Sequence, residues 1–216
     1  MLTAIVPIKA NSERLEAKNL QYFVDGPLYL HKLHQLRYTN FNKIVVSSES
    51  NDVLKVAEEL HYVPHKRDPK YSTSDVPMSD VFKYIASEVY GDDIAWINVT
   101  NPLVSQDKYN EAIKLWRERK GHDCLLSVYN LQKYLIKDKK PLNWTPSRHP
   151  KSQDMEGLFA LSFAINIRKR QDVINEGHFI GYNPLMFVMD KYTSTKIDYQ
   201  QDLDFCRALW HKGGKL

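Results

Sequence analysis

The sequence is short of the features that would staple, anchor or spread a chain. It holds two cysteines, Cys124 in an apolar run and Cys206 in a helical pattern. Two are too few for a disulfide framework, and both are expected to be small core residues in a reducing compartment. No apolar stretch approaches the ~20 residues of a membrane span, and the opening MLTAIVPIKA is too short and wrongly flanked for a signal peptide. A cytoplasmic protein with no membrane partner is therefore expected. A dense Lys/Arg block is also missing: the net charge of +4 comes from 30 basic and 26 acidic residues spread along the chain. That excludes a nucleic-acid backbone as partner and suits a small anionic ligand. The 13 tyrosines scatter instead of forming a stacking platform beside cations, which argues equally against single-stranded nucleic acid. With 43% apolar and 26% charged residues the chain lies outside the composition of disorder, and its 216 residues suit one domain, 1–216.

Short apolar, β-rich runs stand at Leu2 to Ile8, Lys43 to Ser47, Ile94 to Val99, Asp123 to Tyr129, Leu158 to Ile167 and Leu185 to Met189. Helical patterns lie between them at Leu28 to Tyr38, Asn51 to Leu60, Val76 to Val89 and Lys108 to Arg119, with a last one from Gln200 to Trp210. Strands alternating with helices predict βαβ units, hence an α/β fold with a mainly parallel sheet. Two long connections interrupt the rhythm. One, Lys9 to Asp25, follows the first strand, where doubly wound sheets bind ligands. The other, 131–156, is rich in Lys, Pro and polar residues and reads as a lid, an arm reaching a partner subunit or a mobile loop.

After strand one the chain reads Ile5-Val6-Pro7-Ile8-Lys9-Ala10-Asn11-Ser12-Glu13-Arg14-Leu15-Glu16-Ala17-Lys18-Asn19. Lys9, Arg14 and Lys18, with a hydroxyl at Ser12 and an amide at Asn19, are the donors a triphosphate needs: Arg as a fork, Lys as a point charge, loop N–H groups as an anion nest. The bland alternative is a solvated loop with ordinary surface cations, and the position after strand one favours the anion site. His31 and His34 share a helix face without further ligands around them, so they read as surface histidines and not as a zinc site.

The loop resembles the signature of the acylneuraminate and deoxyoctulosonate (KDO) cytidylyltransferases, I-P-A-R-x-G-S-x-R/G-I/L-P-x-K-N. Pro7, Lys9, Ser12, Arg14, Lys18 and Asn19 fall on its key positions. Val45-Val46-Ser47-Ser48-Glu49-Ser50 is similar to the family's V-S-T-D-S, and Arg67 stands at the Arg of R-P-x-x-L/Y. Ile97 to Leu103 resembles L-Q-P-T-S-P-L, and Gln153-Asp154-Met155 with the following strand resembles R-Q-D-L-P-x-x-Y-x-x-N-G-A-I-Y-I. Pro184 to Met189 and Lys196 to Asp202 are similar to P-L-x-x-V-M and D-I-D-T-x-E-D. In order and spacing these blocks cover nearly the whole chain.

The resemblance implies a Rossmann-like sheet with helices on both faces and a homodimer with 131–156 as its dimerisation or lid arm. It implies transfer of CMP from CTP, with Mg²⁺ (or Mn²⁺), to the hydroxyl of an acidic sugar, releasing pyrophosphate. In that reading Lys9, Ala10, Asn11, Ser12, Arg14, Lys18 and Asn19 hold the triphosphate, and Arg67 with the Ser72 to Ser79 stretch, Ser79 included, lies by the nucleoside. Asn98, Thr100, Asn101, Gln153, Ser162 and Phe163 face the acceptor. Lys18, Arg14 and Asp198 are the catalytic set, Lys18 shielding the transferring phosphate and Asp198 holding the metal. Asp198 can also be read as a helix-start residue.

The chain departs from the pattern in places. Ala10, Asn11 and Ala17 stand where glycine is usual, so a different backbone path is expected in the loop. The first Asp of D-I-D is Lys196, a cation beside the expected metal position, which should weaken metal binding or replace part of its charge. The N-G pair of the late strand is Ser162-Phe163, and the Arg after P-T-S-P-L is Val104. These changes point away from ordinary N-acetylneuraminate, toward another acidic sugar, a sugar phosphate or a phosphonate. They also leave open a non-catalytic nucleotide-binding homologue. A glycosyltransferase is disfavoured because no D-x-D occurs at Asn98 to Asn101.

Overall fold

The computed structural model describes residues 1–10, 12, 14–155 and 157–213, the side chains of 212 and 213 excepted. Its main sheet has seven strands: β1 (Leu2–Pro7), β2 (Lys43–Ser48), β3 (Val63–Lys66), β4 (Asp93–Trp96), β5 (Cys124–Asn130), β6 (Phe159–Lys169) and β7 (Pro184–Val188). Their spatial order is β7-β5-β6-β4-β1-β2-β3. Four of the six pairings are parallel, and only β6, wedged between β4 and β5, runs against its neighbours. The mainly parallel sheet is as expected. β3 escaped the sequence reading because Pro64 and the polar His65 and Lys66 break its apolar pattern. An edge strand tolerates that proline, since only one side of its backbone is paired.

Alternation along the strands sends side chains to opposite faces, and each face is covered. Ala4, Val6, Val46, Ala95, Ile97 and Ile167 pack against α1 (Leu28–Leu36), α2 (Asn51–Glu59), α4 (Gln106–Arg117) and α6 (Gln200–Gly213). Ile5, Val45, Ile94 and Trp96 face α3 (Met78–Glu88) and α5 (Arg170–Glu176). Near-continuous apolar strands are what a doubly covered sheet demands. Ser50 and Ser105 cap α2 and α4 by accepting from the N–H of Val53 and of Lys108. Cys124 and Cys206 are both free and fully buried, as expected of core residues. Among the described residues no helix is long and apolar enough to cross a membrane.

His31 departs from the surface role expected of it. It packs edge-on against Phe23 and Trp210, with centroids 4.8 and 4.7 Å away, and its Nε2 lies 3.0 Å from the Pro102 carbonyl. Burial lowers its pKa to about 4, so it is a neutral wedge between α1 and α6. Only His34 is exposed.

Lys32, on the same helix, is fully buried. Its ammonium donates to the Asn101 carbonyl at 2.8 Å and to the Tyr109 hydroxyl at 2.6 Å. Burial pushes its pKa well below the ordinary lysine value. Between that lowered value and the ordinary one, the unfolded chain holds the proton more tightly, so this group makes stability rise with pH. Replacing Lys32 by Met removes that slope. Urea unfolding of wild type and Lys32→Met from pH 7 to 10.5 should show the variant losing ground to the wild type as pH rises. A difference independent of pH would show that Lys32 keeps its ordinary proton affinity.

Candidate functional site

Four segments near the expected chemistry follow the carboxyl ends of parallel strands: the loop from Ile8 after β1, Glu49 after β2, Arg67 after β3 and Asn98 after β4. Two adjoining cavities open there. The first, about 330 Å³, is bordered by Lys9, Asn19, Arg67, Tyr71 and Ser74. The second, about 500 Å³, is bordered by Arg14, Lys18, Phe163, Asn166, His178, Lys196 and Asp198. Met78, Trp96 and Asn98 line both and form the partition between them. A two-part groove of this kind holds two reactants side by side.

The loop after β1 is braced by its own side chains. Ser12 donates its hydroxyl to the Leu15 carbonyl and accepts from the Lys18 N–H at 2.9 Å, while Asn19 donates to the Lys9 carbonyl at 2.9 Å. Ala17 lies in the left-handed region, φ 45° and ψ 39°, a conformation that glycine adopts freely. For an alanine that conformation costs about 1 kcal/mol. Asn11 lies outside the described residues.

Glu49, which sequence reasoning placed inside a motif without a role, is the second brace. One carboxylate oxygen accepts from the Ala10 N–H at 2.7 Å. The other accepts from Arg67 Nη2 at 2.9 Å and from Ser72 Oγ at 3.0 Å. Arg67 also donates to the Ile8 carbonyl at 2.9 Å. Burial works to raise the Glu49 carboxyl, and it is outweighed by the Ala10 and Glu49 N–H groups, Arg67 and Ser72, which hold it below the usual carboxylate range. Arg67, only 4% exposed, is thus a buried cation whose charge is met by a single carboxylate.

In the second cavity three cations converge on one carboxylate. Arg14 Nη2 and Lys18 Nζ each stand 3.1 Å from Asp198 Oδ1, and Lys196 Nζ stands 3.3 Å from Oδ2. Lys18 donates as well to the Ile197 carbonyl at 2.8 Å. Burial lowers the Lys18 pKa against the pull of Asp198. Burial works to raise Asp198, but Lys196, Lys18 and Arg14 overcome it and keep the carboxyl ionised below its usual range. Asp198 is therefore not merely a helix-start residue. Asp202 does that work, accepting from the N–H groups of Asp198 and Tyr199 at 2.9 and 2.8 Å.

A divalent ion fits this donor set poorly. Both Asp198 oxygens face cations, Asp202 is turned to backbone, and no group of three or more His, Cys, Asp or Glu able to hold a metal occurs among the described residues. Among the described residues the arrangement carries a net excess of positive charge, which suits an anion better than a cation.

The expected acceptor residues divide. Asn98, Thr100 and Phe163 line the second cavity. Asn101 and Ser162 are buried beneath it: Asn101 Nδ2 donates to the carbonyls of Ser162, Ser194 and Thr195, and Ser162 Oγ bonds Ser127. Ser79, in the first turn of α3, and Gln153, on the connection 131–156, border neither cavity. Phe163 sits in the left-handed region, φ 56°, where β6 shifts register between Leu161 and Asn166. The irregularity turns the ring into the cavity, 6.0 Å from Lys196 Nζ. The walls add Phe82, Trp96 and Phe179, packed edge to face, which no short motif announced.

The connection 131–156 is tied to itself. It contains a small ribbon, Ile136–Lys137 against Lys140–Pro141, and a cluster of Tyr134, Trp144 and His149 with centroids 4.6 to 5.5 Å apart. Tyr134 donates to the Pro150 carbonyl at 2.6 Å.

A family model described as "Cytidylyltransferase" matches residues 3–204. The chain is 25% identical over 222 residues to an N-acylneuraminate cytidylyltransferase of Escherichia coli O18:K1:H7, a match covering 98% of this chain and 52% of that protein. It is 22% identical to a pseudaminic acid cytidylyltransferase of Campylobacter jejuni, over 95% of this chain and 94% of the relative. The chain thus spans about half the length of the first curated relatives it matches. Among solved structures, a CMP:2-keto-3-deoxy-manno-octonic acid synthetase complexed with CTP superposes with a TM-score of 0.71 at 13% identity, covering 98% of both chains.

Glu49 supplies a test of the bracing. Glu49→Ala leaves Arg67 buried without its carboxylate, which should cost about 3 kcal/mol of stability. The double variant Glu49→Ala/Arg67→Met should recover much of that loss in a denaturant titration. Equal stability of the single variant and the wild type would show that Arg67 is solvated in solution.

Proposed function

Because the chain belongs to the cytidylyltransferase family, we propose that it is one cytidylyltransferase domain transferring CMP from CTP to the hydroxyl of an acidic, sialic-acid-like acceptor. The observation that carries this reading is the two-part groove, one cavity bordered by Lys9, Arg67 and Tyr71 and the other holding the Arg14, Lys18 and Lys196 cations, with a shared partition. The nucleoside lies in the first cavity and the acceptor in the second, so that the transferring phosphate falls between them, at Arg14 and Lys18. The acceptor hydroxyl bonds to the α-phosphorus as the bond to the β-phosphate breaks, giving the CMP ester, pyrophosphate and a proton. Catalysis is positioning and charge neutralisation: pre-set cations in a half-buried site stabilise the charge gathered on the phosphoryl oxygens. A magnesium or manganese ion, on this reading, travels with the triphosphate, and no step is assigned to it.

The acceptor is held by Asn98, Thr100 and Asn166 among aromatic walls. Phe163 narrows the cavity and favours a smaller or less polar acid than N-acetylneuraminate, a phosphonate or sugar phosphate included. Pyrophosphate release from each of the four nucleoside triphosphates against a panel of such acids is expected with CTP and at least one acid. No release with any pair, while CTP still binds, would turn the reading toward a nucleotide-binding homologue without turnover. Lys18→Ala should lower kcat about a hundredfold or more while changing CTP affinity far less, because its charge matters most in the transition state. Equal losses in both would reduce Lys18 to a tether.

The working unit on this reading is a homodimer, with 131–156 closing on or near the neighbour's acceptor cavity. Supporting it, the arm presents Trp144 with Arg148, His149 and Lys151 around an open depression of about 750 Å³, an aromatic anchor with a cationic rim. Sedimentation should give a dimer, and deletion of residues 137–151 should cost activity. A monomer, or full activity after the deletion, would remove the arm from the mechanism.

A further inference from the structure

Lys196 is the cation whose presence the site explains least. It stands at a position where the resembling pattern has a carboxylate, and its ammonium is directed at Asp198 Oδ2, 3.3 Å away, on the side opposite Arg14 and Lys18. The segment that carries it is not free to swing. The Ile197 N–H donates to the Thr100 carbonyl at 2.8 Å, and the Ile197 carbonyl accepts from Lys18 Nζ. The ring of Phe163, held in a left-handed backbone conformation, lies 6.0 Å from the Lys196 ammonium. The two departures from the resembling pattern, Lys196 and Phe163, thus meet in space and border one cavity.

Among the described residues, three cations against one carboxylate leave a net charge of +2 in a cavity only partly open to water. Like charges gathered so closely cost energy unless an anion completes the set. The same count argues against a dication here. An ion bonded to Asp198 would need an oxygen at about 2 Å, and all three cations would remain beside it.

Resting on the CTP reading above, we propose that Lys196 is a phosphate-binding residue whose ammonium contacts the phosphate oxygens and takes the place of a protein-held divalent ion. The chain then carries its counter-charge as a side chain, and its grip on the triphosphate depends less on metal than a carboxylate-lined site would.

Calorimetric titration of CTP into the full chain, in EDTA and in excess Mg²⁺, tests this without any acceptor. Wild type should bind CTP in EDTA, and Lys196→Gln should weaken that binding roughly ten- to hundredfold, the loss of one charge-assisted contact. With Mg²⁺ present the loss should be smaller. Lys196→Asp should bind appreciably only with Mg²⁺, and Lys196→Arg should restore binding in EDTA, which separates charge from a folding defect. Wild-type binding that is absent in EDTA, or equal for wild type and Lys196→Gln under both conditions, overturns the proposal. Failure to bind CTP with or without metal, in a folded wild-type chain, sinks the cytidylyltransferase reading itself. Binding that follows Lys196 without turnover on any acceptor upholds the proposal and leaves only the transfer reaction in doubt.

Discussion

Three cations converge on Asp198, and through them the two ends of the chain are held at one point. Arg14 and Lys18 arrive from the loop after β1, while Lys196 and Asp198 come from the segment that leads into α6. The contact between Lys18 and Asp198 spans 180 residues. It closes the groove on the side away from β3, and it does so with charges left uncancelled. A surface ion pair would add little to stability. Here Lys18 is mostly buried, its proton affinity is already lowered by desolvation, and the carboxylate that compensates it is shared with two competitors.

The first cavity depends on the opposite arrangement. Around Glu49 a single carboxylate satisfies one buried guanidinium, one hydroxyl and the Ala10 N–H of the loop. That brace fixes where the loop leaves β1, and the Asp198 cluster fixes where it ends. Between the two anchors the backbone is set by Ser12 and Asn19, so a loop with alanine in place of glycine still turns through the left-handed region at Ala17. At the Glu49 brace the buried charge of Arg67 is matched by one carboxylate. Around Asp198, among the described residues, positive charge is left in excess.

Much of the fold was legible because apolar periodicity survives in a sheet covered on both faces: β1, β2, β4 and β5 each appear as an apolar run of the right length. β3 was not, since Pro64, His65 and Lys66 occupy an edge strand whose pairing needs no apolar face. α5 was missed for a related reason: its seven residues, RQDVINE, bury only Val173. The site was legible where its chemistry is local. Lys9, Arg14 and Lys18 lie within ten residues, and all three border the groove. Long-range partnerships carry no such signal: nothing in the spacing of Glu49, Arg67 and Ala10 shows that they meet, and Asn101 and Ser162 look like acceptor contacts until their burial shows them to be its support.

The aromatic walls change what the departures from the family pattern mean. A phenylalanine in a glycine position suggests decay when read alone, because the left-handed conformation costs about 1 kcal/mol or more for a residue with a Cβ. In the structure that conformation coincides with a register shift in β6, and the ring so placed faces a cavity already edged by Phe82, Trp96 and Phe179. The strained residue thereby sets an aromatic ring near a cation at the edge of that cavity. A site losing its purpose would relax the backbone and neutralise the cluster. This one retains the strain at Ala17 and Phe163 and, among the described residues, an excess of two positive charges around Asp198, and like charges so close are costly in an empty groove.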